Sequence, residues 1–385
     1  MIKILKYFVC FFFLLFFGLN LLGYGYIIRG LKSTYFRLEK SAQVDDAKFF
    51  YNDTIKKSNE PFYWPKSINY NKKNISEKLR NTLEEYKTHS FLVIKKDSLV
   101  YEEYWDKWSV KNNKSNSFSM AKSIVSLIAG IAVDKGYLSG FDQSVKSVFP
   151  EMNFFTDGSD ITIGDLLNMS SGLDWNENYY NPFNVTARSY MTKDLPSLIF
   201  NLSFNKKPGL NYDYQSGATQ LASLMLEKVL LDSSGITFSE FSSNNFWKKI
   251  GATEDAFWSL DKKGGVVKSF CCFHSNARDF AKIGRLFLNN GKVSENNIVL
   301  NEWYFNKVLK PNIVDFYSYG WWKGKSLDTP IYYMRGFLGQ FVVIIPDYEL
   351  IIVRLGRKNL RNKENPDLPT KPFEIYVSEV LREYI

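Results

Sequence analysis

Apolar and polar positions divide the chain into stretches of different character. Residues 7–28 (YFVCFFFLLFFGLNLLGYGYII) hold Asn20 as the single strongly polar side chain. As one continuous helix, at ~1.5 Å per residue, the run would span roughly 33 Å, enough to cross the hydrocarbon core of a bilayer. It exceeds the apolar core of a secretory signal peptide, although Gly23-Tyr24-Gly25 resembles a cleavage site, so residues 1–30 are expected to be a membrane anchor or signal segment, the uncleaved anchor being favoured. Residues 31–80, polar and broken by Asn, Pro and Lys beyond 41, read as a tether and lead-in. In 90–105 (SFLVIKKDSLVYEEYW) two β-rich runs flank Asp97-Ser98, a hairpin pattern. Apolar residues then recur at helical spacing in 119–135, 162–169, 217–230 and 276–289. Near the end, FVVIIP (341–346) and LIIVRL (350–355) form a second hairpin pattern, and 372–383 predicts a closing helix. Strands at both ends around a helical middle predict an α/β fold of the α+β kind. In it an antiparallel sheet assembled from both ends of one unit, 81–385, is flanked by helices, with a helical insertion over about 140–265.

Composition narrows the chemistry more than the fold. With 385 residues, 45% hydrophobic and 23% charged, the chain is neither disordered nor fibrous. It has two histidines, His89 and His274, so a three-His zinc site is excluded and a Ser-His-Asp triad would need one of these two. No metal-ligand spacing, phosphate-cradling glycine loop or Gly-x-Ser-x-Gly elbow is present, and no cofactor is implied. Of the net charge of +9, residues 1–44 carry +5 (six bases, one acid), leaving +4 for the body and no basic stripe for nucleic acid. The bases after residue 28 outnumber those before it, which by charge alone would put the body in the cytoplasm. Cys10 lies inside the apolar run. Cys271 and Cys272 are adjacent, where a bridge would close a small ring, so no structural disulfide is expected.

One pattern carries nucleophilic chemistry. Ser119-Met120-Ala121-Lys122 opens the apolar helix SMAKSIVSLIAGIAV and sets hydroxyl and amine one turn apart on one face. A serine is a weak nucleophile until a base takes its proton, and a desolvated lysine can do so. At a helix start, free N–H groups and the dipole also face a developing oxyanion. Ser203/Lys206 and Ser259/Lys262 repeat the spacing, but in loop-like sequence. The plain alternative for Ser119 is an ordinary N-cap.

Downstream, Pro208-Gly209 followed by Tyr214 and Ser216 at the start of another helix resembles the P-G-x-x-x-x-Y-x-[NS] element of the serine β-lactamase and penicillin-binding protein superfamily, in its class C-like branch. ITIGDLLNMSSGLDW (161–175) and GGVVKSFCCFHSNARDFAKIGRLFLNNG (264–291) resemble further segments of that family, so the likeness covers about residues 80–385. It implies a β-lactamase/transpeptidase-like fold and an acyl-enzyme on Ser119, with Lys122 and Tyr214 sharing the proton work. The family's Lys-Thr-Gly or His-x-Gly strand motif is missing. Its place is taken by Met334-Arg335-Gly336-Phe337-Leu338-Gly339-Gln340, which resembles the element of 6-aminohexanoate-dimer hydrolases and related esterases. On that likeness the backbone N–H groups of Ser119 and Phe337 form the oxyanion hole, and Ser216, Arg335, Trp175 and Tyr180 are candidate pocket residues, with Asp174 and Tyr179 in the same loop.

The function expected is a serine hydrolase of a small ester, amide or peptide-like substrate, attached to a membrane through its first segment. A D-Ala-D-Ala carboxypeptidase or β-lactamase is the alternative, against which the missing Lys-Thr-Gly counts. A ligand-binding sensor without turnover is the further one. Cell-wall-facing members of the family work outside the cytoplasmic membrane, and a periplasmic or extracytoplasmic catalytic domain is expected despite the charge count.

Overall fold

The structure, a computed structural model, describes residues 2–106, 108, 113–152, 160–179, 181–360, 362 and 365–385. At its centre lies a seven-stranded antiparallel sheet of β1 (Thr88–Lys95), β2 (Ser98–Tyr104), β3 (Tyr317–Ser318), β4 (Trp321–Ser326), β5 (Thr329–Gly336), β6 (Gln340–Ile345) and β7 (Leu350–Gly356). The strands run in the order β2-β1-β7-β6-β5-β4-β3. Both hairpins form where the pattern put them. The first turns on Lys96 and Asp97, both at positive φ, one residue earlier than the sequence suggested. The two ends of the chain meet at the centre of the sheet, where Val93 lies opposite Ile352 and Ile94 opposite Ile351.

Among the helices are α1 (Ile2–Leu21), α2 (Gly25–Ser33), α3 (Met120–Asp134), α4 (Val185–Met191), α5 (Ser216–Ser234), α6 (Ala277–Leu288) and α7 (Lys371–Tyr384). Every residue of β6 and β7 is buried because helices cover both faces of the sheet. Gly284 of α6 packs so closely on Ile351 that a Cβ would sit 2.9 Å from Ile351 Cγ2. On the opposite face Phe373 of α7 stacks on Phe341 and Tyr333. Helix α3 is buried from Met120 to Ala132, which explains its nearly continuous apolar sequence: it lies between the sheet and the helical insertion and has no solvent face.

Three features depart from the pattern-based expectations. The run over 7–28 does not form one helix. Helix α1 ends at Leu21, where Gly23 adopts φ +79° and Tyr24 N–H donates to Leu19 O at 2.7 Å, a glycine-terminated helix end. The chain then turns by 114° into α2. Among the described residues no single helix is long and apolar enough to cross a membrane, although the bent pair passes by length and composition. Second, residues 31–80 contain more than a tether: Asn52–Ile55 is the edge strand of a small four-stranded sheet with Ala256–Ser259, Phe273–Ser275 and Ser115–Asn116. Third, Cys271 and Cys272 are bridged. The left-handed backbone at Cys272 (φ 67°) brings the neighbouring side chains together, a local conformation that residue spacing does not reveal.

Candidate active site

Ser119 occupies the N-cap position of α3, but its hydroxyl makes no capping bond. Its position is set just upstream, where Phe118 takes a left-handed conformation (φ 45°) and its N–H donates to Asn116 Oδ1 at 2.9 Å. One turn on, Lys122 is buried, and its Nζ lies 3.0 Å from each of three oxygens: Ser119 Oγ, Ser216 Oγ and the Phe270 carbonyl. Burial lowers its pKa from 10.5 to about 8, against the opposing pull of the Glu177 carboxylate.

Proton geometry around Lys122 has two states. As an ammonium it has three N–H groups for three acceptors. As a neutral amine it keeps two, and two neighbours must still receive them: the Phe270 carbonyl can only accept, and Ser216 Oγ–H is committed to Glu177 Oε1. The lone pair then faces the Ser119 hydroxyl. Deprotonating Lys122 therefore leaves an amine lone pair able to accept the Ser119 hydroxyl proton.

Tyr214 lies just before α5, two residues from Ser216. Its ring stands 5.0 Å from Lys122 Nζ, it lines the same cleft as Ser119, and burial raises its pKa far above the ordinary phenol value. A second tyrosine lines the cleft beside Ser119, namely Tyr179, whose phenol donates to Glu177 Oε1 at 2.5 Å. Glu177 gathers four donors: Trp175 Nε1 at 2.5 Å, Tyr179 OH, Ser216 N at 2.9 Å and Ser216 Oγ. It went unsingled in the sequence because it lies in an irregular loop and reaches Ser216 across 39 residues. Its only sequence signal is its place between Trp175 and Tyr179.

The other candidates fall around this centre. Phe337 stands against Phe118, ring centroids 5.5 Å apart, and against Tyr179 at 5.4 Å. Gly336 lets β5 approach this closely, since a Cβ there would fall 2.2 Å from the Ser117 carbonyl. Arg335 lines the cleft, with its guanidinium on the carbonyls of Pro366 and Asp367 and over the Trp322 ring at 4.9 Å. Gln340 faces away and bonds the Phe337 carbonyl and both backbone groups of Gly356. Trp175 is buried behind the cleft against Gly217 and meets the site through Glu177. Asp174 takes a hydrogen bond from Ser203, and Tyr180 lies outside the described residues.

Neither histidine reaches the nucleophile. His89 is buried between Ser90 and Ser115, and His274 bonds Ser259, with burial lowering its pKa to about 3. The two other Ser-x-x-Lys repeats build no site: Lys206 pairs with Asp213, and Ser259 bonds Asn52 and His274. Among the described residues no group of three or more His, Cys, Asp or Glu is placed to hold a metal ion.

Two open arms meet at Ser119. One, about 1090 Å³, runs past Phe118, Phe337 and Phe270 toward Ala187 and Met191 of α4 and Ile27 of α2. The other, about 1240 Å³, is the more polar of the two: Glu177, Asp213, Arg335 and Asp367 line it beside Tyr214, Trp322, Leu338 and Leu360.

The sequence profile of the Beta-lactamase family matches residues 77–376. A 6-aminohexanoate-dimer hydrolase of Paenarthrobacter ureafaciens is 26% identical over 239 residues, 58% of this chain and 58% of that protein, so the match spans under two thirds of the relative's length. Among solved structures, "Putative 6-aminohexanoate-dimer hydrolase from Bacillus anthracis" superposes with a TM-score of 0.73 at 18% identity, covering 89% of this chain and 92% of that one. A family VIII carboxylesterase gives 0.60 at 13% identity, over 83% and 98%. At these identities the structures speak for the fold, a β-lactamase/transpeptidase-like arrangement of antiparallel sheet and helices. The family match covers most of the chain, which belongs to the beta-lactamase family of serine hydrolases.

Proposed function

We propose that the protein hydrolyses an ester or amide bond through an acyl-enzyme on Ser119. The observation that carries this reading is the three-oxygen cage around Lys122 Nζ, which in the neutral amine leaves one lone pair facing Ser119 Oγ. In acylation the Ser119 oxygen bonds to the substrate carbonyl carbon, and its proton passes to Lys122. The bond to the leaving group breaks as a proton reaches that group through Tyr214, whose raised pKa keeps the phenol protonated and able to donate. The N–H groups of Ser119 and Phe337 hold the oxyanion. Water then attacks the ester, its proton returning through the same groups, and releases the acid and free Ser119. Ser119→Ala is expected to abolish cleavage of a short-chain nitrophenyl ester, while full retained activity would contradict the reading.

A β-lactam or peptide carboxylate would have to be met by Arg335, which is already bonded to two loop carbonyls. Absence of labelling by a fluorescent penicillin is therefore expected.

The membrane reading rests on α1, whose Phe11, Phe13, Leu14, Phe17 and Leu21 are more than half exposed. So much apolar surface on one helix favours a hydrocarbon phase. An oxidising compartment suits the Cys271–Cys272 bridge and favours the extracytoplasmic face. Protease added to intact spheroplasts is expected to degrade the body, and a protected body would place it in the cytoplasm.

A further inference from the structure

From the contrast between the two arms we infer that the substrate is an amphiphile: a lipid-like ester or amide whose hydrocarbon acyl chain occupies the apolar arm and whose polar alcohol or amine leaves through the other. This rests on Ser119 being the nucleophile.

The apolar arm is built by the N-terminal segment. Arg29 Nε of α2 donates to Met191 O at 2.7 Å, Tyr26 is buried, and the Tyr24 ring meets Phe183 at 6.1 Å. Docking α2 on α4 in this way walls an open passage with Ile27, Leu31, Ala187, Met191 and Phe337 that ends at Ser119, with Lys40 and Ser41 also on its lining. The passage begins within two turns of the end of α1, the most exposed apolar helix described. A hydrocarbon chain leaving a lipid layer along α1 would meet it directly.

The direction of the substrate follows from Tyr214. It lines the polar arm and not the apolar one, so the group that receives its proton leaves on the polar side. The acyl part must then extend the other way, past Phe337 toward α2. The atoms balance as in any acyl transfer: the Ser119 O–C bond forms, the bond to the polar alcohol or amine breaks, and water later releases a fatty acid.

The test uses the full chain in phospholipid vesicles with nitrophenyl esters of one leaving group and increasing acyl length, acetyl to dodecanoyl, each read as kcat/KM. Burial of successive methylenes predicts a rise of at least about tenfold from butanoyl to decanoyl. Ala187→Phe, which fills the arm, is expected to remove most of that rise, cutting the decanoyl-to-acetyl ratio of kcat/KM at least about fivefold. A flat or falling series, with the acetyl ester still cleaved, overturns the inference and leaves the hydrolase reading standing. An unchanged chain-length slope in Ala187→Phe also overturns it. No cleavage of any ester, together with no fluorophosphonate label on Ser119, overturns both.

Discussion

At the scale of single residues, the proposed mechanism makes turnover depend on the proton state of Lys122. With its pKa lowered to about 8, only about a tenth of the amine is neutral at pH 7. Because the neutral form is the base, kcat/KM is expected to rise about tenfold from pH 7 to a plateau above about pH 9. A profile flat over that range would remove Lys122 as the base. Glu177 raises the pKa of Lys122, so Glu177→Gln is expected to move the rising limb to lower pH. It should also lower the plateau by roughly tenfold or more, because an amide NH2 in place of the second carboxylate oxygen cannot accept from Trp175 Nε1 and the Ser216 N–H. A limb that stays in place while the rate falls would make Glu177 a purely structural residue. Ser119, Lys122 and Tyr214 were legible in the sequence because two of them share one helix turn and the third sits in a recognisable local segment. Glu177, Tyr179 and the Phe270 carbonyl were not. They are brought in by loops, and nothing in residue spacing tells where a loop will fold back.

Elements fix how closely those residues meet. Strand β5 comes up beside Ser119 because Gly336 passes the Ser117 carbonyl at a separation that no side chain tolerates. Gly336→Ala is expected to destabilise the fold by about 1–3 kcal/mol, as overpacking does. It should also lower kcat/KM at least about tenfold by displacing Phe337 from Ser119. Unchanged melting and turnover would show that the strand can shift freely. Both hairpins and the buried α3 were readable, since a strand covered on two faces and a helix covered all round each leave a continuous apolar run. The edge strand Asn52–Ile55 was hidden, because an exposed edge needs no apolar pattern. The break after Leu21 was missed for the opposite reason: composition stays apolar through the turn, and only Gly23 marks it.

For the molecule as a whole, the N-terminal segment has two roles in the proposed reading, attachment and wall. Helix α1 exposes its apolar side chains, while α2 closes the arm against α4. The full chain is accordingly expected to sediment with membranes and to need detergent, not high salt, for release. Release by salt alone would mean that α1 does not sit in hydrocarbon. The expectations about turnover depend on a covalent intermediate at one serine. The direct measurement is the mass of the chain after brief exposure to a nitrophenyl ester and acid quench, with the modified peptide sequenced. A single acyl group on Ser119, absent in Ser119→Ala, is the predicted result. An adduct on another residue, or turnover by a chain that never carries one, would contradict it.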